Sequence, residues 1–284
     1  MYPALPIDRL QFAFTVTFHY IFPQMTMGLA LLILILKTQA LRTGEESYNR
    51  AVRFWLRIFG ISFALSVVTG IPMEFQFGTN WSVFSVAGGD FFGNMLGFEG
   101  AMAFMLEATF LGIMLFGWDR VPKKVHLFST CMVALGASLS AFWILSANSF
   151  MQTPAGYTVD AGGVLHVADW WQAIFNPSFP YRFAHMVTAA YLTTAFVVAG
   201  TGAFYVWRQR HVRHAHVMLG MAMIMAIFVA PLQLLFGDLH GLRLSDFTSL
   251  RNCGIMTILE LEGLIRKIRG RVAAPGPLDQ QGLP

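Results

Sequence analysis

The sequence predicts an all-α fold, a polytopic transmembrane bundle of about six helices, and two observations support this fold class. Charged residues make up only 12% of the 284 residues and hydrophobic residues 56%, whereas a soluble domain carries about 25% charged residues. The apolar residues are also gathered into runs of about 20 or more, the length that an α-helix needs to cross a bilayer. We therefore interpret most of the chain as embedded in lipid.

Six apolar runs divide the chain, and the segments between them predict an orientation. The runs cover residues 12–36, 54–78, 91–118, 125–148, 183–207 and 217–238. The first, third and fifth runs are followed by basic residues, namely Lys37, Arg42, Arg50, Arg53, Arg57, Arg120, Lys123, Lys124, Arg208, Arg210 and Arg213. The opposite segments, 79–90 and 149–182, hold only Arg182. By the positive-inside rule, the N-terminus is expected on the outer side.

Composition argues against several other classes of protein. The basic residues lie in short clusters rather than in one concentrated stripe, so no nucleic-acid partner is expected. Two cysteines, Cys131 and Cys253, supply neither a disulfide framework nor a cysteine metal site. The first run lacks a preceding basic region and a small-residue cleavage site, so we expect it to be retained rather than removed as a signal peptide.

The chain is divided into two regions, residues 1–242 with all six runs and a basic tail at 243–284. The tail's Lys and Arg residues fall on the side that the positive-inside rule leaves poor in such charges. Residues 255–268 are predicted to form an amphipathic helix on a membrane surface. The end, AAPGPLDQQGLP, is rich in Pro and Gly and is predicted to be disordered.

The third run carries two carboxylates, Glu99 and Glu107, inside FFGNMLGFEGAMAFMLEATFLGIMLFGW. An acidic group at mid-membrane costs about 2.5–3.5 kcal/mol on insertion scales, so such groups normally face a cavity, a partner or a proton path. In a regular α-helix, a separation of eight residues places the two about 80° apart around the axis and about 12 Å apart along it. Both are predicted to address the same interior space.

Two histidines are predicted to lie within the membrane. Gln11, Thr15 and His19 recur every four residues and form one polar stripe, and His185 lies near the start of the fifth run. Each imidazole can ligate haem iron or hydrogen-bond to a neighbouring helix, and spacing alone favours the hydrogen bond. Two histidines together with two embedded glutamates point more strongly to haem, but transporters use the same residue types as proton relays.

Other polar residues extend these candidate sites toward both faces. The segment GIPMEFQFGTNW at 70–81 is either a simple helix end or the edge of a cofactor site. Asp119 and Ser140 could lengthen a proton path from the cytoplasm toward Glu107, while Arg57 is interpreted as snorkelling to the interface. Four histidines at the cytoplasmic helix ends are expected to be solvated or interfacial: His126, His211, His214 and His216.

Six motifs between residues 5 and 242 carry a family resemblance. They are RLQFAFTVTFHY at 9–20, GIPMEFQFGTNW at 70–81, GFEGAMAFMLEATFLGIMLFGWDR at 97–120, SLSAFWILSANSFMQTP at 138–154, FAHMVTAAY at 183–191 and GD at 237–238. Together they resemble subunit I of the cytochrome bd quinol oxidases. The resemblance implies quinol oxidation at the outer side of the bacterial cytoplasmic membrane, coupled to reduction of dioxygen to water. It also implies a low-spin haem b, a high-spin haem b, a haem d and a partner, oxidase subunit II.

The same resemblance implies roles for individual residues. His19 matches an axial ligand at the high-spin haem pair, and His185 matches one axial ligand of the low-spin haem. Glu99 matches a carboxylate beside the oxygen-reducing centre, and Glu107 one that feeds protons toward it. The cytoplasmic proton route is matched by Arg57, where relatives can carry Lys, and by Asp119 and Ser140.

The chain departs from the family pattern after about residue 242. Family members continue into a long quinol-binding loop and further spans, which carry a methionine ligand of the low-spin haem and a glutamate ligand of the high-spin haem b. We therefore expect a truncated subunit I that needs these segments from another chain. Two alternatives stay open: a remnant without catalysis, and a proton-conducting membrane protein without haem.

Overall fold

The computed structural model describes residues 5–249, which form long helices and one small hairpin. The elements are α1 (Leu5–Thr43), α2 (Glu46–Gly78), α3 (Ser82–Phe98), a π-helical segment (Glu99–Phe104), α4 (Met105–Phe116), α5 (Lys123–Gln152), β1 (Tyr157–Val159), β2 (Leu165–Val167), α6 (Trp170–Ile174), α7 (Phe179–Trp207) and α8 (Val212–Ser249). The surface helix predicted at 255–268 and the disordered end predicted at 273–284 lie outside the described residues.

Six stretches of the described chain are helical, long and apolar enough to cross a membrane, which confirms the predicted fold class. They are Arg9–Thr43, Glu46–Gly78, Ser82–Phe116, Lys123–Gln152, Phe179–Trp207 and Val212–Leu242. The third combines α3, the π-helical segment and α4 into one continuous span. Each span is somewhat longer than its apolar run, because the polar residues at its ends continue the helix.

The third span differs most from the expectation, since α3 begins at Ser82 and the segment 79–90 is mostly helix rather than loop. The sequence GGD at 88–90 interrupts the apolar run, but the folded chain accommodates it. Asp90 accepts a hydrogen bond from the Val167 backbone N–H at 2.9 Å. A Cβ atom at Gly88 would lie 2.7 Å from the Phe92 ring, so glycine leaves room for that ring. Tertiary contacts therefore override a local loop signal.

The turns 44–45, 117–122 and 208–211 lie at one end of the bundle, which we name the basic end. At the first of these turns, Gly44 adopts φ +69° and its N–H donates to the Ala40 carbonyl at 3.1 Å. A residue with a side chain is strained in this left-handed conformation, so glycine suits the close of α1. The turn then leads directly into α2, which packs antiparallel to α1.

The larger apolar core lies toward the basic end. Its fully buried side chains come from α1, α2, α4, α5, α7 and α8 and include Leu29, Leu32, Ile33, Leu36, Val52, Trp55, Phe59, Met114, Val133 and Val198. This core positions the six spans relative to one another.

The opposite end, named the hairpin end, carries the two strands and a second, smaller core. β1 and β2 pair antiparallel, with Tyr157 opposite Val167. The short helix α6 follows, and the Asp169 carboxylate caps it by accepting the N–H groups of Trp171 and Gln172 at 2.9 and 3.2 Å. Beneath them lie the buried side chains Phe91, Phe92, Met95, Ala147, Phe150 and Ala173. The hairpin therefore closes over the ends of α3 and α5.

Candidate functional site

Glu99 begins the π-helical segment, and this changes its relation to Glu107. The wider hydrogen bonding is seen where the Met105 N–H donates to the Gly100 carbonyl, five residues earlier. One such turn takes up one extra residue, so the eight-residue spacing behaves like about seven residues of α-helix, or close to two full turns. The two carboxylates are therefore nearly in line, and the separation of about 80° expected for a regular helix is wrong.

Helix α5 presents one face to both glutamates. The Ser140 hydroxyl donates to Oε1 of Glu99 at 2.7 Å. One turn away on α5, a Cβ atom at Gly136 would lie 2.9 Å from Cβ of Glu107, so the two helices meet closely at this point. Glu107 is only 7% exposed. Residues four apart share a helix face, and α5 therefore lines a path on which Glu107 and Glu99 follow one another.

His19 projects from α1 toward α2 and contacts two consecutive residues there. Its Nδ1 lies 2.9 Å from Oγ1 of Thr69, and that hydroxyl lies 2.7 Å from the Leu65 carbonyl, to which it donates. Because the single hydroxyl hydrogen is used in this way, Nδ1 carries the proton of the imidazole and Nε2 keeps its lone pair. A Cβ atom at Gly70 would lie 3.2 Å from Cε1 of His19, so the ring rests on a bare stretch of backbone.

His185 lies between α7 and α8 in a similar setting. Nε2 of Gln233 lies 3.2 Å from Nδ1 and 3.3 Å from Nε2 of the imidazole, while Oε1 of Gln233 accepts a hydrogen bond from Thr188. A Cβ atom at Gly237 would lie 3.3 Å from Cε1 of His185. The ring of His240 is 6.1 Å away between centroids. Each candidate histidine thus packs on a glycine and a polar side chain of the next helix.

The other residues assigned to the cytoplasmic proton route are not brought to Glu107. Asp119 is largely exposed and its carboxylate lies 4.0 Å from the guanidinium of Arg53. Arg57 is exposed, and no carboxylate among the described residues forms an ion pair with it. Ser140 alone of the three contacts the glutamates. The contacts therefore join Ser140 to Glu99, and the proton-route roles of Arg57, Asp119 and Ser140 stay predictions.

The expectation that His126 is solvated or interfacial is wrong, since this side chain is only 1% exposed. Its ring meets that of Trp118 edge to face, with centroids 5.1 Å apart. Lys37 is 4% exposed, and its Nζ lies 3.5 Å from the centre of the same indole. Cation–π contact lets α1 bury a lysine at this point, and the resulting cover removes His126 from solvent.

The segment 70–81 contacts the polar stripe of α1. The side-chain amide of Asn80 donates to Oε1 of Gln11 at 2.9 Å, so the stripe of Gln11, Thr15 and His19 faces α2. Glu74 lies within the second span. The segment therefore contacts the histidine-bearing stripe, and its role at the edge of a cofactor site stays a prediction.

Two side chains beside the histidines were not singled out from the sequence, Thr69 and Gln233, whereas Gly70 and Gly237 were covered only as members of the motifs at 70–81 and 237–238. A usable signal existed for Gln233, which is the one side chain with strong hydrogen-bonding capacity between His216 and Asp238. A lone amide in an apolar span marks a buried polar contact. Thr69 directly precedes the motif at 70–81 and carries no comparable signal. Its importance depends on the register of α1 against α2.

The arrangement around His19 fits a haem ligand. Within the described residues, no three His, Cys, Asp or Glu side chains converge to hold a bare ion. His19 instead offers a single nitrogen in a fixed tautomer, which suits iron whose other ligands come from a porphyrin. At His185, the amide of Gln233 lies near both ring nitrogens, so ligation there requires that amide to turn away.

Comparisons with known proteins match the chain to one family. The family model for cytochrome bd terminal oxidase subunit I matches residues 7–251, past residue 242, where the recognisable motifs end. Cytochrome bd-II ubiquinol oxidase subunit 1 of Escherichia coli (strain K12) is 44% identical over 211 residues, 74% of this chain and 41% of that protein. Cytochrome bd ubiquinol oxidase subunit 1 of Bacillus subtilis (strain 168) is 41% identical over 223 residues, 78% of this chain and 47% of that protein.

A solved structure has the same fold. The bd oxidase from Geobacillus thermodenitrificans superimposes with a TM-score of 0.80 at 34% sequence identity, covering 84% of this chain and 55% of that one. The chain therefore spans about half the length of the relatives that it matches. Since the family model covers residues 7–251, which is most of the chain, the chain belongs to the cytochrome bd oxidase subunit I family.

Proposed function

We propose that this chain is the haem-bearing part of a bd-type terminal oxidase, which oxidises quinol and reduces dioxygen to water with charge separation across the membrane. The proposal places it in the bacterial cytoplasmic membrane, N-terminus outside, with oxidase subunit II as partner. The observation that carries it is the His19–Thr69 contact, because it leaves Nε2 of a membrane-embedded imidazole free to ligate iron.

The two histidines would hold the cofactors. His19 would ligate iron at the high-spin pair, haem b and haem d, and His185 would ligate the low-spin haem b. When bound, these haems would carry electrons from quinol to dioxygen. Thr69 would keep the His19 ring in one tautomer and orientation, since a hydrogen bond to the second ring nitrogen fixes both.

The glutamates would move protons. Glu107 is buried beside Gly136, where closely packed helices exclude water, and it would pass a proton along the face of α5 to Glu99. Ser140 holds one oxygen of Glu99 and would aim its carboxyl group at the reaction centre. Asp119 would receive protons at the cytoplasmic surface. Arg57 would line the route from Asp119 to Glu107.

A second candidate function, proton conduction without haem, is favoured by one observation. Three carboxylates, Glu74, Glu99 and Glu107, lie within the spans, and carboxylates placed in a membrane can relay protons without any cofactor. A third candidate is a subunit that binds haem but does not turn over. The three candidates differ in absorbance and in oxygen uptake.

Visible and pyridine-haemochrome spectra of the purified protein separate the candidates. Three haems with quinol-driven oxygen uptake support the oxidase, haem without uptake indicates the non-catalytic subunit, and colourless protein leaves only proton conduction. Within the haem-bound form, His19→Ala is expected to abolish the high-spin signals, and His185→Ala to disturb the low-spin spectrum. Glu107→Gln should slow oxygen reduction with full haem content. Unchanged spectra in both histidine variants would disprove the ligand assignment.

A further inference from the structure

A cavity of about 280 Å³ lies at the basic end between α2, α7 and α8, away from the haem and glutamate residues. Its lining includes three ionisable side chains, Arg50, His211 and His214. It also includes the largely apolar side chains of Phe54, Tyr205 and Met218. A cavity lined by an arginine, two imidazoles and apolar side chains matches an amphiphile with an anionic head.

The charge around this cavity is positive. Arg208, Arg210 and Arg213 surround the turn between α7 and α8, and Arg50 adds a fourth arginine from α2. Their acidic neighbours are Glu46, 3.8 Å from Arg50, and Glu45, 3.9 Å from Arg213. Both ion pairs are long and largely exposed, so they are weak and do not occupy the guanidinium groups. Four arginines against two glutamates leave a net attraction for anions.

The turn between α7 and α8 has an unusual backbone that shapes the cavity. Gln209 has φ 54° and His211 has φ 50°, a conformation that costs residues with a Cβ atom about 1–2 kcal/mol. Gln209 is explained by the helix end, because its N–H and that of Arg210 close α7 on the carbonyls of Val206 and Tyr205. The left-handed conformation of His211 is not explained by the end of α7 in this way.

The conformation of His211 directs its ring into the cavity. Its centroid lies 6.4 Å from that of Tyr205 and 6.2 Å from that of His214, so the two imidazoles and the phenol ring surround one space. The His211 carbonyl accepts the N–H groups of His214 and Ala215 at 2.9 and 3.0 Å, which places the start of α8 at the same point. A helix N-terminus adds a further attraction for an anion. Strained residues persist where the surroundings hold them and cluster at functional sites.

We propose that this cavity binds the phosphate group of an anionic phospholipid, with an acyl chain lying against Phe54, Tyr205 and Met218. Arg50, His211 and His214 donate hydrogen bonds to the phosphate oxygens. Basic pockets between membrane helices bind such head groups in other membrane proteins. A free phosphate ion has the same head-group chemistry but cannot contact the apolar side chains. A phospholipid should therefore bind more tightly than free phosphate, and this difference in affinity distinguishes the two ligands.

The experiment uses the full chain, purified in an uncharged detergent and mixed with phosphatidylglycerol or phosphatidylcholine. Native mass spectrometry counts the lipids that each chain retains. We expect phosphatidylglycerol to be retained about tenfold more tightly than phosphatidylcholine, a difference of about 1.4 kcal/mol. Arg50→Gln combined with His214→Gln should remove this preference. The matched control, Arg120→Gln with Lys124→Gln, changes the same number of basic residues at the same end and should keep it.

Equal retention of the two lipids, or an unchanged preference in the Arg50 and His214 variant, overturns the proposal. A third arm adds inorganic phosphate at about 10 mM, so that it can compete with the lipid by mass action. If phosphate displaces phosphatidylglycerol, the cavity is a free-phosphate site and the lipid assignment is wrong. If the double variant elutes as an aggregate, the single variant Arg50→Gln replaces it, because Arg50 is exposed. Loss of the preference for phosphatidylglycerol in that variant supports the proposal, and an unchanged preference overturns it. Arg50→Lys keeps the charge and should retain most of the preference.

Discussion

The two ends of the bundle are held together by different interactions. At the basic end, α1, α2 and α8 meet through buried apolar side chains, and every buried residue of α2 lies between Ser47 and Phe59. At the hairpin end, α1 and α2 meet through the hydrogen bonds of Gln11 with Asn80 and His19 with Thr69. In lipid, helices associate through close packing and polar contacts rather than through burial from water. Between α1 and α2, apolar packing is therefore concentrated at the basic end, and the candidate haem ligand His19 lies toward the hairpin end.

The largest expected effect concerns Gly28, where α1 crosses α7. A Cβ atom there would lie 2.0 Å from Oγ1 of Thr194 and 2.8 Å from the Ala190 carbonyl oxygen, so a side chain must push the helices apart. Gly28→Leu is expected to cost about 5 kcal/mol, at the extreme of single substitutions, and to prevent accumulation of folded protein. Gly200→Leu on α7 is the control, because nothing lies within 4 Å of its added Cβ.

Expression level and thermal unfolding of the two glycine variants in the same detergent make this comparison. If Gly28→Leu unfolds at the same temperature as Gly200→Leu, the packed crossing does not determine stability. The contrast between the two ends would then lose its basis.

A second prediction compares the two ends within a single helix. Phe59 is fully buried in the larger core, whereas Phe75 is 71% exposed sixteen residues later on α2. Phe59→Ala should lower the free energy of unfolding by about 3–5 kcal/mol because it leaves a cavity. Phe75→Ala should change it by no more than about 0.5 kcal/mol. Thermal unfolding of both variants measures the difference, and similar losses would show that the hairpin end also carries stability.

The third prediction concerns the hairpin end, where the expected change is mainly in haem binding rather than in stability. Thr69→Val removes the hydroxyl that accepts the His19 ring proton while keeping the size of the side chain. Loss of such a partner typically weakens a metal site by about 10–100-fold. Titration of the haem-free protein with haem, followed by visible absorbance, measures this affinity.

The controls for Thr69 distinguish orientation from packing. Thr69→Ser keeps the hydroxyl and should restore the affinity. Thr201→Val, which removes a hydroxyl bonded only to its own helix at Val197, should leave it unchanged. Equal haem affinity in Thr69→Val and the unaltered protein would show that Thr69 does not position His19.

The sequence was sufficient where one helix's own pattern decides the outcome. The six spans followed from runs of apolar residues, and the stripe through Gln11 and His19 followed from a four-residue period. It was insufficient where the outcome depends on another helix. His126 is buried because Trp118 and Lys37 cover it, and no local pattern reports that cover. The π-helical segment at Glu99 likewise leaves no mark in hydropathy, because one inserted residue does not interrupt an apolar run.

The smallest expected effect concerns the hairpin turn, where one carboxylate accepts several hydrogen bonds. Backbone N–H donation from Val164, together with the His166 side chain and the Gly162 N–H, lowers the pKa of the Asp160 carboxyl below its ordinary value. A pKa that is lower in the folded state contributes stability above the unfolded value of about 3.9, and this contribution is lost as pH falls through the folded-state pKa. The hairpin should therefore loosen in acid before the helices do.

Hydrogen exchange of residues 157–167, corrected for intrinsic rates at each pH, tests this difference. Protection of the Gly162 and Val164 amides should fall between about pH 5 and pH 3, while residues 190–202 of α7 stay protected. In Asp160→Asn, which cannot ionise, the same two amides should be weakly protected at both pH values. If the variant and the unaltered chain lose protection equally on acidification, the carboxylate of Asp160 does not hold the hairpin, and the hairpin end depends on apolar packing as the basic end does.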